Sequence, residues 1–206
     1  MEKLIKKVAK KLASAQNLDA ERTAVIAYGM VAIVQFLTIL ILSIVIGLIL
    51  NTVFECILIY IVVGLLRRTT GGAHASSIGA CIIVSLLSIT MMSVGAKFTA
   101  QQLTFPFVIA ISLVFYGICY FLVAYLAPVD NPNKPIGNPQ KIKRLRVSSF
   151  LLLSICLVLS IVFVLFSTIT DSKIGYSLHF ALAFALLWQS LTLTPWAQRI
   201  TKLLHI

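Results

Sequence analysis

Acidic side chains are scarce: 206 residues hold six Asp and Glu against seventeen Lys and Arg, and charged residues of both signs make up only 11% of the chain. A soluble domain of this size carries about a quarter charged residues, so an ordinary water-exposed globule is excluded. The charges are also gathered. Residues 23–54, 56–66, 69–96, 98–129, 147–170 and 174–198 contain none. Cysteine is equally spare, and Cys56, Cys81, Cys119 and Cys156 show no CxxC or other metal-ligand spacing. Neither a disulfide framework nor a metal centre is expected from them. A leader is missing as well: "MEKLIKKVAKKLASAQ" is basic throughout, with no apolar core before residue 23, so no cleavable signal peptide is expected.

What remains is hydrocarbon. The chain is 60% apolar with a mean hydropathy of +1.03, and a helix needs ~20 apolar residues to cross ~30 Å of lipid. The charge-free runs predict an all-α integral membrane protein, a single polytopic domain over residues 1–206. Six spans are expected, at about 23–50, 52–66, 78–96, 104–126, 147–170 and 174–194. The second is short and holds Glu55, so it is expected to lean on its neighbours or to thin the bilayer. The first is long enough to tilt, with Gly47 as a candidate bend, and Pro106 suits the first turn of the fourth. In residues 1–22, Leu4, Ile5, Val8 and Leu12 form one helical stripe among five lysines. That pattern predicts an amphipathic helix lying in the interface over anionic lipid; a merely solvated basic tail is the alternative.

Basic residues orient the six spans. With the N-terminus inside, both termini are cytoplasmic and fifteen of the seventeen Lys and Arg face the cytosol, leaving Lys97 and Lys173 outside. The whole net charge of +11 then lies on the inner side. Topology and anionic membrane lipid explain that charge, so no nucleic acid is expected as a partner. They do not explain why the loop over 127–146, "APVDNPNKPIGNPQKIKRLR", is twenty residues long with four prolines. Loops of that length are uncommon and often functional, which makes Lys141, Lys143 and Arg144 candidates for contacting a substrate.

One polar stretch interrupts the hydrocarbon on the same inner side: "RRTTGGAHASSIGAC", residues 67–81. In a continuous helix His74 and Cys81 would stand about 10 Å apart along the axis, too far for a hydrogen bond. Gly71 and Gly72 break the helix, and Ser76 or Ser77 can N-cap the next one. A turn at Ala75–Ser77 would let the imidazole fold over the first turn bearing Cys81. An imidazolium and the positive helix end both favour a thiolate, and first-turn N–H groups could receive an oxyanion. The bland alternative is an interfacial histidine and an inert cysteine, and the spacing alone does not exclude it. His179, near the outer end of the sixth span, is expected to reach outer water and is left without a role.

At these residues the sequence resembles the accessory gene regulator protein B (AgrB) family, the membrane endopeptidases of Gram-positive quorum sensing. Arg67, Arg68, Gly72, His74, Ser76 and Cys81 carry the match. Glu21, Tyr28 and Gly29 in "ERTAVIAYGM" and the basic, proline-rich loop extend it, whereas Thr69 and Thr70 depart from the more basic members. The resemblance implies a multi-pass cell-membrane enzyme that needs no cofactor and works at the cytoplasmic face. It would cut a short AgrD-like precursor peptide near its C-terminus. Cys81 would be the nucleophile and His74 its base. An acyl thioester on Cys81 would then yield a cyclic thiolactone or lactone. Arg67, Arg68, Gly72, Ser76, Glu21, Lys141, Lys143 and Arg144 would support the site or hold the substrate, and a homodimer remains open. Two other readings stay beside this one: a small peptide transporter or exporter, which would call for internal repeats or broken helices, and a structural membrane protein.

Overall fold

The computed structural model describes residues 19–72, 77–129 and 138–203. The interfacial helix expected over 1–22 therefore falls almost wholly outside the described residues. Among the described residues seven helices follow in order: α1 Ala20–Leu50, α2 Val53–Thr70, α3 Ile78–Gln102, α4 Phe105–Leu126, α5 Pro139–Thr170, α6 Lys173–Leu191 and α7 Pro195–Leu203. No strand occurs among the described residues, as lipid requires of a chain that cannot close a barrel.

The helix starts follow side-chain chemistry. Asp19 accepts from the Arg22 N–H at 2.7 Å, and Ser77, Asn138 and Ser172 cap α3, α5 and α6 by accepting first-turn N–H groups. Pro106 sits in the first turn of α4, as anticipated.

Five of the helices are long and apolar enough to cross a membrane: α1 from Arg22, α3, α4, α5 and α6. The remaining expected span, the second, does form a helix, α2, but its 18 residues include Glu55, Arg67 and Arg68. Glu55 leans on a neighbour as foreseen, accepting a hydrogen bond from the Ser177 hydroxyl of α6 at 2.5 Å while only 5% exposed. By its internal contacts the chain divides into Met1–Leu42 and Ser43–Ile206, with the 31-residue α1 running through the division.

Gly47 lies inside an unbroken helix. Helix α1 continues through it to Leu50, and a Cβ there would stand 2.9 Å from the Val53 Cα and 3.3 Å from the Cys56 sulfur. Its service is a close approach that lets α2 fold back after Asn51, which adopts a positive φ of 55°. The Lys97 ammonium donates to the Asn51 carbonyl at 2.8 Å and closes that turn.

Within Ser43–Ile206, α6 is the central helix and packs against α2, α3, α4 and α5. Its most apolar stretch is 67% buried, against 28% or less for the other spanning helices. Small residues permit this. Ala181, Ala183 and Ala185 are buried, and Gly175 stands against the Phe163 carbonyl, where a Cβ would collide. The outward faces of the other helices are Leu, Ile, Val and Phe, as lipid contact demands; Leu113 and Ile169 are 71% and 83% exposed.

Because lipid supplies no hydrophobic drive between helices, buried polar pairs carry much of their specificity. His179 is one. Ser112 already donates to the Val108 carbonyl, so His179 Nε2–H donates to the Ser112 oxygen at 2.6 Å. The Ser160 hydroxyl then donates to Nδ1. The expectation that this imidazole reaches outer water is wrong: it is 2% exposed and joins α4, α5 and α6.

Two other differences concern segments flanking the apolar runs. Helix α5 begins at Pro139, well before the apolar run at 147, so Lys141, Lys143, Arg144 and Arg146 lie on its first turns instead of in a loop. Asn138 makes this start by accepting from the Gln140 N–H at 2.9 Å. A search for long apolar runs also misses α7, a nine-residue amphipathic helix whose Trp196 and Ile200 share one face, with the Arg199 guanidinium over the indole at 5.7 Å.

His179→Leu should destabilise the bundle by about 1–3 kcal/mol, the usual cost of stranding buried hydrogen-bonding groups. Unfolding of the purified protein in detergent measures this. An unchanged midpoint would show that the Ser112–His179–Ser160 chain joins nothing of consequence.

Candidate functional site

The site begins where α2 ends. Gly71 and Gly72 take φ of 72° and 127°, a region that side-chain-bearing residues rarely enter. The Gly71 N–H still reaches the Arg67 carbonyl at 3.1 Å, after which the chain leaves the helix axis. Space enforces glycine as firmly as φ does. A Cβ on Gly71 would lie 2.5 Å from the Val129 carbonyl oxygen, and one on Gly72 would lie 2.7 Å from the Thr192 hydroxyl.

Two distant segments hold this turn. The Val129 N–H donates to the Thr70 carbonyl at 2.8 Å, docking the segment after α4 onto the end of α2. From α6, the Gln189 amide nitrogen donates to the Thr70 hydroxyl oxygen at 3.0 Å and to the Gly71 carbonyl at 2.8 Å. Gln189 is 2% exposed, and its buried Oε1 accepts no hydrogen bond from a described residue. The Arg146 Nε–H donates to the Ala127 carbonyl at 3.1 Å. The ends of α2, α4 and α6 and the start of α5 therefore meet at one end of the bundle.

Cys81 sits at that end on α3. Ser77 is the N-cap, its hydroxyl oxygen accepting from the Ala80 N–H at 3.2 Å, and the Cys81 N–H makes the first regular helical bond, to the Ser77 carbonyl at 3.0 Å. Ile78 and Gly79 therefore belong to the first-turn positions whose N–H groups have no intrahelical acceptor. The other three thiols are buried: Cys56 is 0%, Cys119 1% and Cys156 6% exposed, as packing residues should be, while Cys81 is half-buried.

Of the sequence candidates, Arg67 lies near Cys81 and Arg68 points away. Arg67 lies in the last turn of α2, partly buried, close enough to Cys81 for their charges to act on each other. Burial lowers the guanidinium from its ordinary value, and its electrostatic interaction with Cys81 opposes that shift. Arg68 points to the exposed side. Gly72 is in the clamped turn. Lys141, Lys143 and Arg144 are exposed on the first turns of α5. His74 and Ser76 lie outside the described residues, as does the side chain of Glu21, which is in the first turn of α1. Among the described residues no group of three or more His, Cys, Asp or Glu could hold a metal ion.

Sequence reasoning missed Gln189 and Val129. Gln189 carried a signal, being a lone amide inside the apolar run "ALLWQSLTL", and a polar group at such a place needs a partner. Val129 carried none, because it acts through its backbone.

Comparison with known proteins gives the family. The model of Accessory gene regulator B matches residues 5–193. The chain is 30% identical over 195 residues to "Putative AgrB-like protein 2" of Clostridium perfringens (strain 13 / Type A), covering 94% of this chain and 91% of that one. It is 32% identical over 199 residues to "Putative AgrB-like protein" of Clostridium perfringens (strain SM101 / Type A), with the same coverage. No solved structure matches it.

The burial pattern predicts an order of thiol reactivity. In the native membrane-embedded protein, a small alkylating reagent at neutral pH should label Cys81 first, and Cys56, Cys119 and Cys156 only after denaturation. Peptide mapping by mass spectrometry reads the order. Native labelling of Cys56 or Cys119 ahead of Cys81 would contradict the burial seen here.

Proposed function

Because the chain belongs to the accessory gene regulator B family, we propose that it is a membrane cysteine endopeptidase of quorum sensing, cutting an AgrD-like precursor peptide near its C-terminus at the cytoplasmic face. The observation that supports this reading best is Cys81 itself. It is the one thiol of the four that is not buried, and it sits on a helix first turn beside Arg67 and the clamped glycine turn.

In this mechanism His74 takes the Cys81 proton and the sulfur attacks the scissile carbonyl. The N–H groups of Ile78 and Gly79 receive the developing oxyanion, and Arg67 adds positive charge beside it. The C–N bond then breaks, the imidazolium gives its proton to the departing amine, and the acyl group rests on Cys81 as a thioester. An internal Cys or Ser of the precursor next passes its proton to His74 and attacks that thioester. A cyclic thiolactone or lactone leaves, and Cys81 is freed. A membrane-edge site that limits water favours the tethered nucleophile over hydrolysis, because tethering gives it a high effective concentration. Thioester exchange is close to isoenergetic, so departure of the cleaved tail drives the reaction. The exposed Lys141, Lys143 and Arg144 hold an acidic tail near the site by charge attraction.

Co-expression with the precursor tests the assignment. Cys81→Ala and Cys81→Ser should abolish cleavage with the protein still in the membrane, while Cys56→Ala, Cys119→Ala and Cys156→Ala should retain it. His74→Ala should slow it by on the order of 10²–10⁴. Lys143→Gln with Arg144→Gln should weaken processing of an acid-tailed precursor and leave one with a neutralised tail unaffected. Full cleavage by Cys81→Ala would end the peptidase reading, and a double variant that cuts both precursors as well as the wild-type protein does would leave those cations as topology signals only.

A further inference from the structure

An apolar groove opens between α3 and α6 on the face that carries Cys81. It encloses 330 Å³ and is walled by Val84, Ser88, Met91 and Met92 of α3 and by Phe184 and Trp188 of α6, with no charged residue on its lining. Ligand pockets run from about 300 to 1,000 Å³, so the groove has the size to hold one or two large side chains.

Its position relates it to the nucleophile. Val84, Ser88, Met91 and Met92 stand 3, 7, 10 and 11 residues after Cys81, the spacing that keeps residues on one helix face. Val84 is one turn from Cys81, about 4.5 Å along the axis, and Met92 about 16 Å. The opposite wall is anchored in the same place. Trp188 immediately precedes Gln189, whose amide holds the Gly71 carbonyl. Both walls thus run from the elements of the candidate site into the hydrocarbon layer.

We propose that this groove is a specificity subsite that seats apolar side chains of the peptide substrate next to the bond that Cys81 attacks. The inference rests on the peptidase reading. A peptide placed with its carbonyl at Cys81 has neighbouring side chains within one or two residues, about 3–7 Å of extended chain, which reaches the mouth of the groove at Val84. Met91 and Met92 give that wall adaptable, polarisable surface, suited to apolar groups of differing shape. The uncharged lining disfavours Asp, Glu, Lys or Arg at the same substrate position, since an unpaired charge there is costly. Selection at this subsite is therefore for apolar bulk adjacent to the cut, separate from any recognition of an acidic tail by α5.

Two measurements test it. A photoreactive benzoylphenylalanine replacing Met91, in a Cys81→Ala background that cannot consume the precursor, should form an adduct with co-expressed precursor in native membranes. Adducts with lipid alone, or none, would overturn the proposal and leave the groove as an ordinary lipid-facing recess. Independently, Val84→Trp and Met92→Trp should narrow the groove. Each should lower kcat/KM for the precursor about 10–200-fold, the range for an apolar side chain denied its pocket. The loss should come through KM, with the alkylation rate of Cys81 by a small reagent unchanged. Unaltered kcat/KM in both would overturn it; if either variant fails to fold, the crosslink decides alone. Failure of the peptidase reading is distinct, since it appears as cleavage that survives Cys81→Ala whatever the groove does.

Discussion

The side-chain amide of Gln189 holds the site together. One nitrogen donates to both the Thr70 hydroxyl and the Gly71 carbonyl, fixing the last turn of α2 to the innermost helix of the bundle. An amide buried in hydrocarbon is costly unless bonded, so the pairing is specified by the penalty for losing it. Everything that follows in the chain starts from this point: the positive-φ glycines, the short connection to Ser77 and the capped first turn that carries Cys81. The Val129 bond to Thr70 adds the segment between α4 and α5 to the same anchor. Three helix ends far apart in sequence thus converge on two residues, Thr70 and Gly71.

The same logic runs through the rest of the bundle. Lipid contacts do not favour one helix face over another, so small residues and buried polar pairs decide the packing. Helix α6 collects them in sequence: Gly175 against the Phe163 carbonyl, Ser177 to Glu55, His179 between Ser112 and Ser160, and Gln189 to the α2 turn. Its low apolarity among the spanning helices is thereby explained. It faces protein nearly all round and can carry groups that the lipid-facing helices cannot.

Much of this was legible beforehand, and the illegible parts share a cause. Charge-free runs located every long helix because a missing charge is a local property that hydrocarbon demands. Ser77 was recognisable as a cap for the same local reason. Partners are not local. Nothing in the neighbourhood of His179 says that Ser112 and Ser160 will enclose it, so it read as water-accessible. The close approach of Gly47 to Val53 was not legible, because that neighbour becomes visible only after the chain reverses. The basic residues of 141–146 read as loop because proline-rich sequence precedes them, although Pro139 is at home in a helix first turn and Asn138 caps it. Of the site, Cys81 and its glycine turn were legible, but the Gln189 clamp that positions them was not.

If Cys81 is the nucleophile that this arrangement prepares, the acyl group must pass through it. A precursor whose internal Cys and Ser are both replaced by Ala can acylate Cys81 but cannot cyclise, so the intermediate should accumulate. Intact-mass and peptide-mapping analysis of the protein isolated with that precursor should then show the N-terminal fragment attached at Cys81, released by hydroxylamine as a thioester is. Cleavage of the same precursor with no such adduct at Cys81, at early or late times, would contradict the account.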